Sequence, residues 1–396
     1  MKTVFFLLIS CVFLQASTIS LNEIIEKLKN EHPLALSIDA YADAYTNRNQ
    51  ANLSRKALSL IAQGAYAEPI IGASDYEYSI GVSQKFMNSS MKDNALKSAN
   101  YQSDAKILDL KYEFMLLENE VGLLYHLNCI DKKATQQYET YLSDFKSLYK
   151  KKEKAYQYGE ISKIEFLHLQ IELDRLKNDF KHYKNEEKIS RIKIQSKILI
   201  SSFEAQELFC EDTYSLKESL ILNPLKQSLQ EQSVNKKIQS AESEFSRYDT
   251  FYNSFTLSAS YQEEIDVDRF IIGLSVPLNF SSSENEKNRA ASLFMKSALK
   301  YKKQEIKLEQ ESKLKLLNKQ LGQDFQDIEL ITSILNKFEN ELMPLIERGY
   351  DLGENSAIEY LLSRREMWTY KKDQIEEYKN YYITLFKLYS VTQSKE

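Results

Sequence analysis

Along residues 76–86, Tyr76, Tyr78, Ile80, Val82 and Phe86 alternate with Glu77, Ser79, Gly81, Ser83 and Lys85. That is the period of a β-strand with one apolar and one wet face. Phe270, Ile272, Leu274, Val276, Leu278 and Phe280 repeat the pattern against Gly273, Ser275, Pro277 and Asn279. Just upstream, Phe255, Leu257, Ala259 and Tyr261 alternate with Thr256, Ser258, Ser260 and Gln262. The polar stretch "EIDVD" turns the chain between these runs, which predicts a hairpin over about 252–280. A more weakly written hairpin is predicted over about 58–86, turning at "PIIGAS". Most of the remaining chain carries a helical period. Leu110, Phe114, Leu117, Val121 and Leu124 step by 4, 3, 4, 3, and Ile328, Ile331, Leu335, Phe338, Leu342 and Leu345 step by 3, 4, 3, 4, 3. Both are coiled-coil seams. The helices that follow the hairpins are expected over about 91–158 and 286–350, each roughly 100 Å long at 1.5 Å per residue.

These patterns occur twice. Tyr-x-x-Gly-Glu, then Ser and Ile-Glu-aromatic-Leu, stands at Gly159 and again at Gly353, 194 residues on. Ile80-Gly81-Val82-Ser83 matches Ile272-Gly273-Leu274-Ser275 at 192, and Pro33 matches Pro224 at 191, between "LNEIIEKLKNEHPLALS" and "LKESLILNPLKQSL". Three landmarks in the same order at nearly one offset imply an internal duplication. The expected organisation is a leader at 1–16, a first repeat at 17–206 with a turn at 159, and a second at 207–393 with a turn at 353. In each repeat a helix precedes the hairpin, and a return helix follows the turn.

Nine glycines and five prolines in 396 residues leave few helix breakers, which fits long helices. The net charge of −5 gives no support to a nucleic-acid partner. "MKTVFFLLISCVFLQAS" reads as a secretory signal cleaved near Ala16, with "LISC" at Cys11 a rival lipoprotein cue. No later segment is apolar for 18 residues, so a spanning helix is not expected. Catalysis has no candidate: there is no phosphate loop and no nucleophile elbow. His32, His126, His168 and His182 have no metal-ligand spacing, and no cofactor is expected.

The four strands are the feature that asks for an explanation. At about 11 residues and a 45° tilt such strands cover a hydrocarbon layer, yet the smallest membrane barrels need about eight of them. Closure needs further chains, and three copies supply twelve strands. The apolar face would then meet lipid through Tyr76, Tyr78, Ile80, Val82, Phe255, Leu257, Tyr261, Ile272, Leu274 and Val276. The alternative at this point is a soluble two-hairpin sheet packed on helices.

The order of Pro-marked start, helix, hairpin, long helix, Tyr-x-x-Gly-Glu-x-Ser turn and return helix, repeated once, resembles the TolC family of outer-membrane efflux proteins. The resemblance covers the whole mature chain, and its specificity lies in the duplicated layout. It implies a mainly α fold with a small β part: a homotrimer whose twelve-stranded barrel in the outer membrane continues into a long periplasmic α-helical barrel. It implies a Gram-negative outer-membrane location with a large periplasmic portion, contact with outer-membrane lipid, and a passive exit duct rather than an enzyme. The implied partners are a periplasmic adaptor and an inner-membrane transporter, and no nucleic acid. A periplasmic coiled-coil adaptor or structural protein would share the leader and the helices but has no need of lipid-facing strands. In this family the glycine turns form the periplasmic tip where the adaptor docks, which points to Gly159, Glu160, Ser162, Gly353, Glu354 and Ser356. Glu165 and Glu359 match an acidic position that lines the entrance, with Lys163, Arg364 and Arg365 the nearest basic residues; a second acidic position falls on His168 and Leu362. The family places the linker "ELFCEDTY" at the waist of the rod, so Cys210 could meet Cys129 in a disulfide, or both could be free thiols.

Overall fold

The computed structural model describes residues 18–68, 75–200, 203, 206–211, 216, 227–264, 267–279 and 283–393. The leader with Cys11, the "PIIGAS" turn, Pro224 with most of its neighbourhood, and Phe280 lie outside the described residues. The elements are β1 (Thr18–Ile19), α1 (Leu21–Glu31), α2 (Pro33–Leu53), β2 (Ser59–Ala67), β3 (Asp75–Met87), α3 (Ser89–Gln157) and α4 (Lys163–Ile198), followed by β4 (Glu207–Leu208), α5 (Leu229–Arg247), β5 (Ser254–Glu263) and β6 (Asp268–Ser275). Then come α6 (Glu284–Lys337), a π-helical turn (Phe338–Leu342), α7 (Met343–Asp351) and α8 (Ala357–Thr392).

The residues form two compact units that do not coincide with the sequence repeats, because each repeat contributes to both. One unit takes the described residues of Met1–Leu36, Phe114–Leu225 and Ser312–Glu396; the other takes Ser37–Glu113 and Lys226–Glu311. The first is helical apart from the two-residue parallel ladder of β1 on β4. Its core is strongly aromatic. Tyr138, Phe145, Leu169, Leu176, Leu335, Tyr360 and Trp368 form one cluster, and Ile130, Leu321, Ile328, Tyr381 and Leu388 a second. A third, with Ile24, Leu28, Val121, Tyr125, Ile194 and Ile198, packs α1 and the ladder against α3 and α4.

The second unit holds an antiparallel sheet in the order β2-β3-β5-β6. Pairing of β3 with β5 joins the two hairpins edge to edge. The β6 ladder stops at Ser275, so Val276, expected on the strand face, lies one residue beyond it. Pro277 has no N–H to give a ladder and accounts for the early end.

The second coiled-coil seam is also interrupted. Ile328, Leu335 and Phe338 are buried as the heptad requires, but Leu342 and Leu345 are exposed. Buried Met343 and Tyr350, with partly buried Ile346, take their place. The cause is the π turn, whose Met343 N–H reaches back to Phe338 C=O and adds one residue to the turn. Pro344, just past it, cannot donate and crowds the carbonyl four residues back, so the wider turn relieves a clash. The helix expected over 286–350 is therefore two α-helices joined by a π turn, whereas its counterpart α3 is an unbroken 69 residues.

Candidate functional site

Both glycine turns have one geometry. Gly159 and Gly353 take φ of 77° and 76°, a left-handed conformation that costs other residues about 1–2 kcal/mol. A Cβ at either would meet nothing within 4 Å, so backbone conformation, not space, demands glycine. Glu160 N–H donates to Ala155 C=O (2.8 Å) and Gly159 N–H to Tyr156 C=O (3.0 Å); Glu354 and Gly353 do the same to Gly349 and Tyr350, at 2.8 and 3.2 Å. This double closure is the Schellman ending of a helix. Ser162 and Ser356 then cap the 36-residue helices α4 and α8. These two helices end at Leu199 and Gln393, which are the other two positive-φ residues described. Both pairs of positive-φ residues are 194 apart, the spacing seen in the sequence.

The two carboxylates differ. Glu359 reaches back to Ser356 N–H (2.8 Å) and completes a capping box. Glu165 gives its backbone N–H to Ser162 (3.1 Å), but its carboxylate accepts from the Tyr350 hydroxyl (3.1 Å). One bond thereby ties α4 to α7. Tyr350 is buried, stacked on Tyr360 at 4.7 Å, and has Lys152 Nζ 3.9 Å from its ring centre. Burial first, and then the Glu165 charge, push its phenol well above the ordinary range.

Arg364 and Arg365 do not pair with either glutamate in this chain. Arg364 is buried, donates to the Tyr360 hydroxyl at 2.5 Å and lies over the Tyr141 ring at 4.8 Å. Arg365 instead bonds Glu172 at 2.9 Å. Glu172, only 3% exposed, is also gripped by Arg175, which bonds Asp179 in turn (3.0 Å). Burial alone would raise the Glu172 carboxyl, but the hydrogen bonds of the two arginines outweigh it and hold the group below its ordinary range. Tyr138 completes the chain by donating to Asp179 (3.1 Å). The sequence reading missed Tyr350, Glu172 and Arg175. The Glu-x-x-Arg-x-x-x-Asp spacing over 172–179 was the available signal. Lys163 and His168 are exposed, as is Leu362.

The sheet sorts its residues by face. Register sets Tyr66 opposite Tyr76, Ile80 opposite Tyr261, Ala259 opposite Ile272, Leu257 opposite Leu274, and Phe86 opposite Phe255. All lie on one face with Tyr78, Val82 and Phe270. That face is uncovered: Ile272 is 87% and Phe270 84% exposed. Aromatics gather at its two ends, Tyr66, Tyr76, Tyr78, Tyr261 and Phe270 at one and the stacked Phe86–Phe255 pair (5.1 Å) at the other. Aliphatic side chains lie between. The opposite face carries Ser79, Gly81, Ser83, Ser258, Ser260 and Gly273, and a Cβ on Gly81 would collide with Ser260.

A disulfide joins Cys129 of α3 to Cys210 just after β4, with Cα atoms 5.5 Å apart. Among the described residues no group of His, Cys, Asp and Glu is arranged to hold a metal, and no helix is long and apolar enough to cross a membrane.

No protein-family model matches the chain, and no curated protein does. Solved structures do match. A membrane protein from Pseudomonas aeruginosa superposes with a TM-score of 0.79 at 11% identity, over 94% of this chain and 92% of that one. The outer-membrane channel OprN gives 0.77 at 12%, over 94% and 89%. The CmeC outer membrane channel of Campylobacter jejuni gives 0.71 at 12%, over 95% and 87%. The chain therefore has the fold of TolC-like outer-membrane channels. At these identities the likeness is one of fold.

Proposed function

We propose that the protein is the outer-membrane exit duct of a tripartite efflux or secretion system. The observation that carries this reading is the uncovered, two-faced sheet with unfinished edges. β2 and β6 have nine and eight residues, and each is paired on one side only. Open edges are not tolerated in lipid, so β6 of one copy joins β2 of the next, and three copies close a twelve-stranded barrel. Tyr76 and Phe86 are ten residues apart, about 34 Å along a strand and about 24 Å across a layer at 45° tilt. That matches the roughly 25 Å apolar band between the aromatic girdles of membrane barrels. The opposite, mostly polar face, which also carries Ile61 and Ile271, lines the lumen.

The helices continue the duct into the periplasm, and the tip turns at Gly159–Ser162 and Gly353–Ser356 meet an adaptor that connects the duct to an inner-membrane transporter. Conduction is passive. Glu165 and Glu359 stand at the mouth, where three copies would gather six carboxylates.

Membrane fractionation with a semi-native gel tests the reading. The expected result is an outer-membrane trimer whose band shifts on boiling and whose conductance in planar bilayers changes its cation preference when Glu165→Gln and Glu359→Gln are combined. A monodisperse soluble monomer would refute the duct. An unchanged ion preference would remove the two glutamates from the mouth.

A further inference from the structure

Where the helices of the second unit meet the sheet, a cavity of about 590 Å³ opens. Its lining includes Leu53, Met87 and Arg247, the last residues of α2, β3 and α5, so it sits at the roots of the strands. Met87 follows directly on the Phe86–Phe255 aromatic pair. The wall is charged in one sense. Arg48, Lys106 and Arg247 face Glu244 alone, a surplus of two positive charges in a chain that is acidic overall. Glu244 bonds Arg247 at 3.2 Å, which leaves Arg48 and Lys106 without an ion pair among the described residues. Two donors of lining residues, Asn49 Nδ2 and Arg247 Nε, are buried and have no acceptor. Buried donors without acceptors are rare, and an anion in the cavity would supply one. Tyr45, Leu53, Met87, Ala95 and Ala99 give the wall an apolar part, beside the polar but uncharged Ser98, Gln102 and Ser103.

We propose that this cavity binds the headgroup of an anionic phospholipid, its phosphodiester held by Arg48, Lys106 and Arg247 and its glycerol end lying along the apolar wall. The inference rests on the outer-membrane reading, because that reading sets the strand roots at the periplasmic surface of the bilayer, level with the headgroups of the inner leaflet. A cavity of this size is within the range of small-molecule sites, and guanidinium groups match phosphate oxygens in geometry. Arg55, over the Phe86 ring at 5.0 Å, adds a cation on the same level. The lipid would anchor the joint between helices and sheet.

The test is native mass spectrometry of the full-length protein in detergent, titrated separately with phosphatidylglycerol, phosphatidylcholine and inorganic phosphate. Phosphatidylglycerol is expected to be retained about tenfold more tightly than phosphatidylcholine. Combining Arg48→Gln with Lys106→Gln should weaken it by about tenfold or more, the loss of charge-assisted hydrogen bonds. Glu244→Gln should tighten it, since the one opposing carboxylate goes and Arg247 is released; a misfolded variant cannot produce that gain. Equal retention of both lipids, or insensitivity to both variants, would overturn the proposal. Inorganic phosphate competing at the same concentrations as the lipid would assign the site to a free anion and overturn the lipid. Fractionation of the same samples separates the two failures. A soluble wild-type monomer defeats the duct reading, whereas an intact outer-membrane trimer with variant-insensitive binding defeats only the lipid site.

Discussion

Removing the Cys129–Cys210 bond isolates what holds the segment between the repeats to the helices. Cys210→Ala is the cleaner perturbation, because Cys129 is 1% exposed in an apolar cluster whereas Cys210 is only partly buried. The bond closes a loop with a sequence separation of 81, for which the chain-entropy model gives about 4.5 kcal/mol. The other tethers are polar contacts and packing: a two-residue ladder, Phe209 N–H to Ile19 C=O at 3.0 Å, the Tyr125 hydroxyl to Phe209 C=O, Arg191 to the Gln206 carbonyl, Lys27 to Gln206 at 3.3 Å, Lys132 to Glu207 at 3.4 Å, and the packing of Leu208 and Phe203. None of these contacts is covalent, so the loss of the bond should loosen this segment before the rest. Hydrogen exchange over 206–211 should rise in Cys210→Ala and in the reduced wild type alike, while the aromatic core around Tyr138 and Trp368 stays protected. The melting temperature should fall in both, and reducing agent should do nothing further to the variant. Maleimide alkylation in denaturant, before and after reduction, gives the bond count. Free alkylation of the unreduced wild type would refute the bond. Unchanged exchange in Cys210→Ala would refute the tether.

Three further expectations follow from individual contacts. Tyr350→Phe removes the hydroxyl bond to Glu165, worth about 1–2 kcal/mol for a partly exposed bond to a charged acceptor; bilayer recordings should show more frequent opening, and wild-type gating would mean that the bond does not restrain the tip. Gly159→Ala should lower the melting temperature by the equivalent of about 1–2 kcal/mol, and Gly159→Asn by less, since asparagine tolerates positive φ and nothing crowds the position; equal losses would show a packing cause. His126, stacked on Tyr382 at 4.2 Å, has its imidazole pushed down to about 4 by burial. A histidine lowered in the fold stabilises fully above its unfolded value near 6.5 and loses that contribution as the pH falls toward 4, on the order of 2–3 kcal/mol. His126→Phe should flatten this part of the pH–stability curve, measured by thermal melts from pH 7 to 4.

Strands, long helices and glycine turns were legible in the sequence because each rests on a short-range rule. Alternation marks a two-faced strand, heptads mark a packed helix, and Tyr-x-x-Gly marks a helix ending that glycine completes at the least conformational cost. The seam after Phe338 was misread because a heptad count assumes a constant turn. Pro344 was visible, but a π turn and a plain kink look alike in sequence. The partners of Glu165 and Arg365 were out of reach for a different reason. Glu165 meets Tyr350 across 185 residues and Arg365 meets Glu172 across 193, and nothing local distinguishes Arg364, turned into the tyrosines, from its neighbour. The lipid cavity is assembled from α2, β3, α3 and α5, and none of its residues forms a motif alone.

The bare apolar face of the sheet imposes an order on biogenesis. The helical unit has its own aromatic core, whereas Ile272 and Phe270 of the hairpins are left bare in the single chain, and on the exit-duct reading only lipid and neighbouring copies cover that face. On that reading each chain, between export and insertion, is a half-finished object with a sticky end that would need a holdase for alternating aromatic strands. The concentration of such chains, more than the intrinsic speed of folding, would then govern whether the proposed three copies meet in the membrane or clump on the way.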